Sequence, residues 1–201
     1  MIAALVPAAG ESRRMGRPKL LLSVEGVAVI ARVVKALVAG GAHPVLVVSP
    51  PIDASGGREV ETEAVRAGAR VVVPEAQPPD MRTSVMIGLR RLESDPAPIT
   101  AVLLAPADSP GLTASLVARV IRRSEAEPGA IVVPTFEGVR GHPVALPWPI
   151  ARAVFDLPED AGVNTLIRQN SDRVVELSVD DPGAIDDLDT PEDYRRWEHD
   201  G

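Results

Sequence analysis

The sequence contains no cysteine, and this absence excludes disulfide bonds, thiolate zinc sites and a cysteine nucleophile. Aromatic residues make up only 2% of the 201 residues, whereas hydrophobic residues make up 45%, so the core has to consist of Val, Leu, Ile and Ala. No apolar run approaches the length of a membrane span, and no basic region precedes an apolar one at the N-terminus. We therefore expect a cytoplasmic protein that has no membrane partner.

Positive charge is also scarce. The chain has 21 Lys and Arg against 28 Asp and Glu, which gives a formal net charge of -7. Domains that bind nucleic acid through its phosphates are typically basic, so this balance argues against a nucleic-acid partner. The length suits one α/β domain with a proper core, and we find no internal repeat and no linker.

Against this acidic background, a cluster of cations follows the first apolar segment. Residues 2–6 are predicted to form a buried strand, which the small-residue turn Pro7-Ala8-Ala9-Gly10 ends. Four cations then follow within ten residues: Arg13, Arg14, Arg17 and Lys19. Small residues let backbone N–H groups approach an anion closely, and cations neutralise it. The pattern predicts a phosphate site at the carboxyl end of the first strand.

The common phosphate and hydrolase motifs do not fit this loop. Gly10 and Gly16 are six positions apart and Gly16 is followed by Arg17, which excludes a P-loop, and the sequence has no G-x-G-x-x-G. It has no HExxH either, and no Ser-His-Asp arrangement can be assembled with confidence.

Beyond the loop, predicted strands and helices alternate along the chain. The strands are predicted at 44–48, 70–73, 102–104, 131–133 and 174–179, and the helices at 29–39, 58–67, 83–92 and 113–123. Short helices are predicted at 149–155 and 163–169, and a last helix begins at 190–193. This alternation predicts a Rossmann-like, three-layer α/β fold with a mainly parallel sheet and helices on both faces. We expect one domain over residues 1–201, with residues of about 134–172 forming an insertion that covers the site.

Two groups of acidic residues are candidates for a metal site. Asp108 follows the strand at 102–104, so it should lie at the same sheet edge as Gly10, and Mg²⁺ usually takes one or two carboxylates together with substrate phosphates. Capping of a helix or turn by Asp108 is the alternative. Asp186, Asp187 and Asp189 crowd together, and such a cluster repels itself unless a cation lies near or water solvates it.

The cationic loop resembles the signature of a known family. Residues 8–19 read AAGESRRMGRPK, which matches every position of the AAG-x-S-x-R-M-G-x-x-K loop of MobA-like NTP transferases, the molybdenum-cofactor nucleotidyltransferase group. Further segments are similar to the same family: DLDTPEDY at 187–194, DMRTSVMIGL at 80–89, GHPV at 141–144 and DAGVNTL at 160–166. The chain departs from the family pattern at four positions, with Leu188 in place of Ile, Asp80 in place of Gly, Arg82 where Ser is common and Asn164 where Arg is frequent.

The resemblance implies a nucleotidyltransferase and assigns roles to residues. Arg14, Lys19 and Asp108 would be catalytic, and Asp108 and Asp187 would hold Mg²⁺. The implied nucleotide-binding residues are Pro7, Ala8, Ala9, Gly10, Arg14, Lys19, Thr83, Ser84 and Gly88. Capping of a helix by Asp80 or Thr83 is the alternative for the segment at 80–89. The implied acceptor-binding residues are Gly141, His142, Pro143 and Asn164, although His142 could be a structural hydrogen bonder.

The resemblance also implies the substrates. In this family Ala-Ala-Gly accompanies CTP and Ala-Gly-Gly accompanies GTP, so Ala9 favours CTP. Molybdopterin is the leading phosphorylated acceptor because the G-H-P-V segment accompanies it, and a partner enzyme could receive the product. Cytidylyltransferases of methylerythritol phosphate and sugar-phosphate nucleotidyltransferases are alternatives. A non-catalytic nucleotide-binding or chaperone protein is the alternative of another class.

Overall fold

A computed structural model describes residues 1–10, 18–188 and 190–199, of which 198 and 199 are described by their backbone only. The predicted loop residues Arg13, Arg14 and Arg17 therefore lie outside the described residues, as does Asp189. Within the described part of the chain, no helix is long and apolar enough to cross a membrane.

The described residues form ten strands and seven α-helices. The strands are β1 (Ile2–Pro7), β2 (Ser23–Val24), β3 (Val27–Ala28), β4 (Val45–Val48), β5 (Arg70–Val72), β6 (Ala101–Leu104), β7 (Ile131–Phe136), β8 (Val139–Arg140), β9 (Val144–Pro147) and β10 (Val174–Ser178). The helices are α1 (Val29–Ala39), α2 (Gly57–Arg66), α3 (Met81–Glu93), α4 (Ala114–Ala126), α5 (Trp148–Arg152), α6 (Asn164–Gln169) and α7 (Pro191–His199). Short 3₁₀ turns occupy 19–21, 153–156, 171–173 and 182–184.

The central sheet has eight strands in the order β10-β7-β9-β6-β1-β4-β5, with β8 paired to β7. Strand β1 lies between β4 and β6 and is parallel to both. Strand β9 runs antiparallel to β6 and β7, and β8 runs antiparallel to β7, while the other pairs are parallel. The prediction of a mainly parallel sheet is confirmed.

Strand β9 was not predicted, and its direction matters for the site. Because β9 is antiparallel to its neighbours, it begins at the edge where β1 and β6 end. Residues before Val144 therefore lie at the carboxyl edge of the sheet. The range of about 134–172, which was predicted as an insertion, contains β9, which lies in the middle of this sheet. The same range also contains helices α5 and α6. Its role on the acceptor side stays a prediction.

Alternate residues of β1 face two aliphatic cores, one on each side of the sheet. Ala4 and Val6 pack with residues of α1, α2 and α4, and Ala3 and Leu5 pack with residues of α3, α5 and α6. Both neighbours of β1 repeat this alternation, which is how a central parallel strand is buried on two faces. Helices on both faces of the sheet confirm the predicted three-layer arrangement.

Helix α7 ties the end of the chain to the hairpin formed by β2 and β3. Leu188 and Tyr194 form a small third core whose other members come from the segment that follows Lys19: Leu22, Val24 and Val29. The Tyr194 hydroxyl donates to the Ser23 carbonyl oxygen over 3.0 Å. This packing holds the segment before α7 against the segment that carries Lys19.

Candidate active site

Several parts of the chain meet at the carboxyl edge of the sheet. Two neighbouring cavities there are lined by the turns after β1 and β6, the loop before α3 and its first turn, the segment leading into β9, residues 159–164 and Asp187. Open α/β sheets bind ligands at this edge because strand ends and helix N-termini present unpaired backbone groups there. Pro7, Asp80 and Met81 line both cavities, so the cavities adjoin each other.

The first cavity, which we call the β1–α3 cavity, has a volume of about 420 Å³. Its lining residues come from the turn after β1, the loop before α3 and the start of α3: Pro7, Ala9, Gly10, Gln77, Pro78, Pro79, Asp80, Met81 and Ser84. The side-chain amide of Gln77 donates a hydrogen bond to the carbonyl oxygen of Ala9. Gln77 therefore fixes the loop before α3 against the small-residue turn.

Asp80 is the N-cap of α3. Its carboxylate accepts from the backbone N–H of Thr83 over 2.7 Å, and this bond is the main cause of a lowered Asp80 pKa. The capping alternative weighed for this segment is therefore confirmed for Asp80. Ser84 is buried, and its hydroxyl donates to the Asp80 carbonyl oxygen over 3.3 Å. Helix α3 thus begins at Met81, two residues before the predicted start.

The second cavity, the β6–β9 cavity, has a volume of about 580 Å³. Among the described residues, five carboxylates line it: Asp80, Asp108, Glu159, Asp160 and Asp187. The other charged or hydrogen-bonding side chains that these residues contribute are Arg82, His142 and Asn164. The predicted metal residues and two predicted acceptor residues therefore share one cavity, although His142 and Asn164 are far apart in sequence from Asp108.

Asp108 and Asp187 are brought together by direct bonds between their segments. The backbone N–H of Leu188 donates to the Asp108 carbonyl oxygen over 2.8 Å, and the Ser109 hydroxyl donates to Asp187 Oδ1 over 2.6 Å. Lys19 Nζ forms an ion pair with Asp108 Oδ2, and both side chains are about one-fifth exposed, at 19% and 21%. Lys19, Asp108 and Asp187 consequently form one cluster at the sheet edge.

Close backbone approach explains how the segment before Asp187 reaches this position. A Cβ on Gly183 would overlap the Gly111 carbonyl oxygen, and a Cβ on Gly141 would overlap the Ala184 carbonyl oxygen. The His142 N–H also donates to the Ala184 carbonyl oxygen over 2.7 Å. The 3₁₀ turn at 182–184 is therefore held between the residues after β6 and those before β9. A side chain at Gly141 or Gly183 would displace Asp187.

The charges of the cluster affect His142 and Asp186. Burial lowers the pKa of His142, while the nearby carboxylates of Asp187 and Asp108 oppose this shift. His142 Nδ1 is buried and has no hydrogen-bond partner among the described residues. Burial raises the pKa of Asp186, an effect that Arg196 partly offsets.

The donor set fits a hard divalent cation. Two adjacent carboxylates from separate segments, at the edge of a cavity that could hold phosphates, are the ligands that Mg²⁺ takes in nucleotide sites. The described residues contain no group of three or more His, Asp or Glu arranged for metal binding, so the protein would supply few ligands. A site of this kind leaves coordination positions to substrate oxygens and water.

Several predicted residues lie behind the cavities and support them. Ala8 is buried and donates its N–H to the Val48 carbonyl oxygen, and Thr83 is engaged with the Asp80 cap. Gly88 is buried in α3, where a Cβ would overlap Leu5 of β1. Pro143 is buried after a cis peptide bond with His142. Together with Gly141, these residues allow close packing, and none of them lines either cavity.

Sequence reasoning missed Gln77 and the function of Arg82. Gln77 lies in a proline-rich loop without a periodic pattern, and its partner Ala9 is 68 positions away. Arg82 was noted only as a departure from a family pattern, whereas the structure gives it bonds to residues more than 70 positions away. The local sequence pattern does not indicate contacts between residues so far apart in the chain.

Comparisons with known proteins identify the family. A twisted, mainly parallel sheet with a cation and paired carboxylates at its carboxyl edge is the arrangement of an enzyme that handles nucleotides. The family model of the MobA-like NTP transferase domain matches residues 4–174. The chain therefore belongs to the MobA-like NTP transferases and is a nucleotidyltransferase.

Solved structures agree with this assignment. A nucleotidyl transferase from Methanothermobacter is 25% identical, with a TM-score of 0.79 over 98% of this chain and 95% of that one. The Rv0371c protein of Mycobacterium tuberculosis, in complex with manganese, is 27% identical, with a TM-score of 0.73 over 98% and 97% of the two chains. A 4-diphosphocytidyl-2C-methyl-D-erythritol synthase shares the fold at 16% identity, with a TM-score of 0.73 over 97% and 95%. A search of curated proteins finds no significant match.

Proposed function

We propose that this protein is a Mg²⁺-dependent nucleotidyltransferase that transfers CMP from CTP to a phosphorylated acceptor of the molybdopterin type. The observation that carries the proposal is the cluster of Lys19, Asp108 and Asp187, whose two carboxylates line the β6–β9 cavity, which adjoins the β1–α3 cavity. We assign the β1–α3 cavity to the nucleotide and the β6–β9 cavity to the acceptor, so that the reacting phosphates would meet near the two carboxylates.

In this proposal the β1–α3 cavity holds the nucleoside. Ala9 and Gly10 bring the backbone close to the base, while the start of α3 offers Ser84 and a helix N-terminus. The methyl group of Ala9 leaves less room for a base than a glycine would, which favours the smaller pyrimidine. Arg14 is proposed to hold the triphosphate together with Lys19.

The reaction itself needs positioning and charge neutralisation rather than a covalent enzyme intermediate. An oxygen of the acceptor phosphate attacks the α-phosphorus of CTP, a new P–O bond forms, and the bond to the β-phosphate oxygen breaks with release of pyrophosphate. Lys19 offsets the charge that grows on the leaving group. Asp108 and Asp187 would hold Mg²⁺, which supplies neutralisation of phosphate charge when it is bound.

The β6–β9 cavity is the proposed acceptor site. Its volume of about 580 Å³ is in the range of small-molecule sites, and His142 and Asn164 offer hydrogen bonds on its wall. The segment that leads into β9 carries the G-H-P-V pattern on which the choice of molybdopterin rests. The likeness to the methylerythritol synthase is one of fold, so it supports no second acceptor. A partner enzyme that receives the product belongs to the same proposal.

Pyrophosphate release tests the proposal. CTP, GTP, ATP and UTP are each incubated with Mg²⁺ and with molybdopterin, methylerythritol phosphate or a sugar 1-phosphate. We expect release with CTP and molybdopterin above all other pairs. Higher turnover with GTP would contradict the base assignment, and turnover only with a sugar phosphate would contradict the acceptor assignment.

A further inference from the structure

Arg82 joins the two cavities through a set of hydrogen bonds that the proposed chemistry does not use. It is the second residue of α3, directly after Met81, and Asp80 and Met81 line both cavities. Arg82 lines only the β6–β9 cavity. Any shift of the first turn of α3 therefore reaches the second cavity through this side chain.

The guanidinium of Arg82 binds three backbone carbonyl oxygens of a distant segment. Nη1 donates to Pro158 over 2.7 Å, and Nη2 donates to Leu157 over 2.6 Å and to Val154 over 3.4 Å. The Leu157 and Val154 side chains are buried in the core on the α3 face of the sheet. This packing fixes the positions of two of the three carbonyl groups. The first two distances are those of strong, charge-assisted bonds.

The bonded carbonyls directly precede one wall of the β6–β9 cavity. We call residues 158–164 the wall segment, because residues 159–164 all line that cavity. The Pro158 carbonyl oxygen accepts a second bond, from the Ala161 N–H over 3.0 Å, so Arg82 binds the turn that begins the wall. Glu159, Asp160 and Gly162 are exposed, which leaves this stretch with few packing contacts of its own.

The hydrogen bonds of Arg82 go to backbone carbonyls, although its charge also attracts the nearby carboxylate of Asp80. Among the described residues Arg82 forms no ion pair, and its buried Nε has no hydrogen-bond partner. A guanidinium whose hydrogen bonds go to neutral carbonyls loses those bonds if the carbonyls move away. The arrangement therefore favours one position of the wall relative to α3.

We propose that Arg82 is a positioning residue that fixes the acceptor wall to the first turn of the nucleotide-binding helix and thereby couples the two substrate sites. Nucleotide bound at the start of α3 steadies Arg82, and Arg82 steadies the wall segment. The coupling to the acceptor rests on the proposed function, whereas the attachment of the wall to α3 does not.

Hydrogen exchange of the intact protein tests the attachment. In Arg82→Met the amides of the wall segment, Ala161 in particular, should exchange about tenfold faster or more, as expected from the loss of charge-assisted bonds. Arg82→Lys keeps the charge but cannot reach three carbonyls, so it should resemble Arg82→Met. Arg91→Met is the matched control, because Arg91 is an exposed arginine of α3 that makes no hydrogen bond to the wall segment within the described residues.

The same experiment with CTP and Mg²⁺ tests the coupling. In the wild type, CTP should slow exchange in both α3 and the wall segment, and in Arg82→Met it should slow exchange in α3 alone. With molybdopterin as acceptor, Arg82→Met should raise the acceptor KM about tenfold while the CTP KM stays within about twofold.

The outcomes separate this inference from the proposed function. Unchanged wall exchange in Arg82→Met would overturn the attachment whatever the ligand does. If CTP slows exchange in α3 of the wild type but not in the wall segment, the coupling is contradicted. If CTP fails to protect α3 at all, the nucleotide proposal fails, while exchange without ligand still decides the attachment. Full rescue by Arg82→Lys would show that charge rather than attachment is the function of Arg82.

Discussion

At the scale of single residues, substitution of the site's carboxylates should affect turnover strongly and stability only slightly. Asp108→Asn should lower turnover at least about 100-fold and raise the Mg²⁺ concentration needed for half-maximal activity, because the substitution removes a proposed metal ligand. Stability should change by less than about 1 kcal/mol, since the ion pair with Lys19 is partly exposed to solvent. A Mg²⁺ titration of pyrophosphate release and a thermal unfolding curve measure the two effects.

Asp172→Asn is the control for this substitution, because Asp172 is exposed in the 3₁₀ turn at 171–173 and lines neither cavity. If Asp108 served only as a cap, Asp108→Asn would be almost silent, since Asn caps about as well as Asp. Near-normal turnover at ordinary Mg²⁺ concentrations would therefore contradict the metal assignment.

At the scale of elements, the N-terminus of α3 makes both a stability and a pH prediction. Asp80→Ala removes the bond to the Thr83 N–H and should cost about 1 kcal/mol of unfolding free energy at pH 7. Because folding lowers the Asp80 pKa, the carboxylate stabilises the protein above its ordinary pKa of 3.8, and this contribution is lost as the pH falls through the lower, folded value. The pH-dependent part should be small, since Asp80 is exposed.

Urea unfolding of Asp80→Ala and Asp80→Asn across pH 3 to 7 measures this contribution. Asn keeps the cap without titrating, so it should stay within a few tenths of a kcal/mol of the wild type at pH 7. The difference between wild type and Asp80→Ala should shrink toward acid pH. A difference that grows as the pH falls would contradict the assigned direction of the pKa shift.

Elements with a strong local pattern were predictable, and long-range placements were not. Helix α1 begins and ends where its apolar period and Gly40 indicate. Strand β9 was not predicted because Val144–Pro147 has only four residues, follows Pro143 and itself ends in a proline. The sheet edge shared by Gly10 and Asp108 was predictable because each residue follows a predicted strand of a mainly parallel sheet. The position of Asp187 beside Asp108 came only from the resemblance, since the glycine contacts that create it join segments far apart in sequence.

At the scale of the whole molecule, ligand binding is thermodynamically linked to the stability of the folded protein. A ligand that binds only the folded protein raises the unfolding free energy by RT ln(1 + [L]/Kd), which is about 2.7 kcal/mol at 100 times Kd. For a domain of this size that corresponds to a rise in Tm of roughly 5 °C or more. CTP with Mg²⁺ should therefore raise the Tm of the wild type, and GTP at equal concentration should raise it less if, as proposed, the Ala9 methyl group leaves less room for a purine in the β1–α3 cavity. Asp187→Asn should lose the Mg²⁺-dependent part of the Tm shift and keep any part that CTP produces with a chelator present.

Differential scanning calorimetry over a series of CTP concentrations gives the Tm shift for each protein. An equal shift in the wild type and in Asp187→Asn with Mg²⁺ would place the cation away from Asp187, and a larger shift with GTP than with CTP would reverse the proposed base preference.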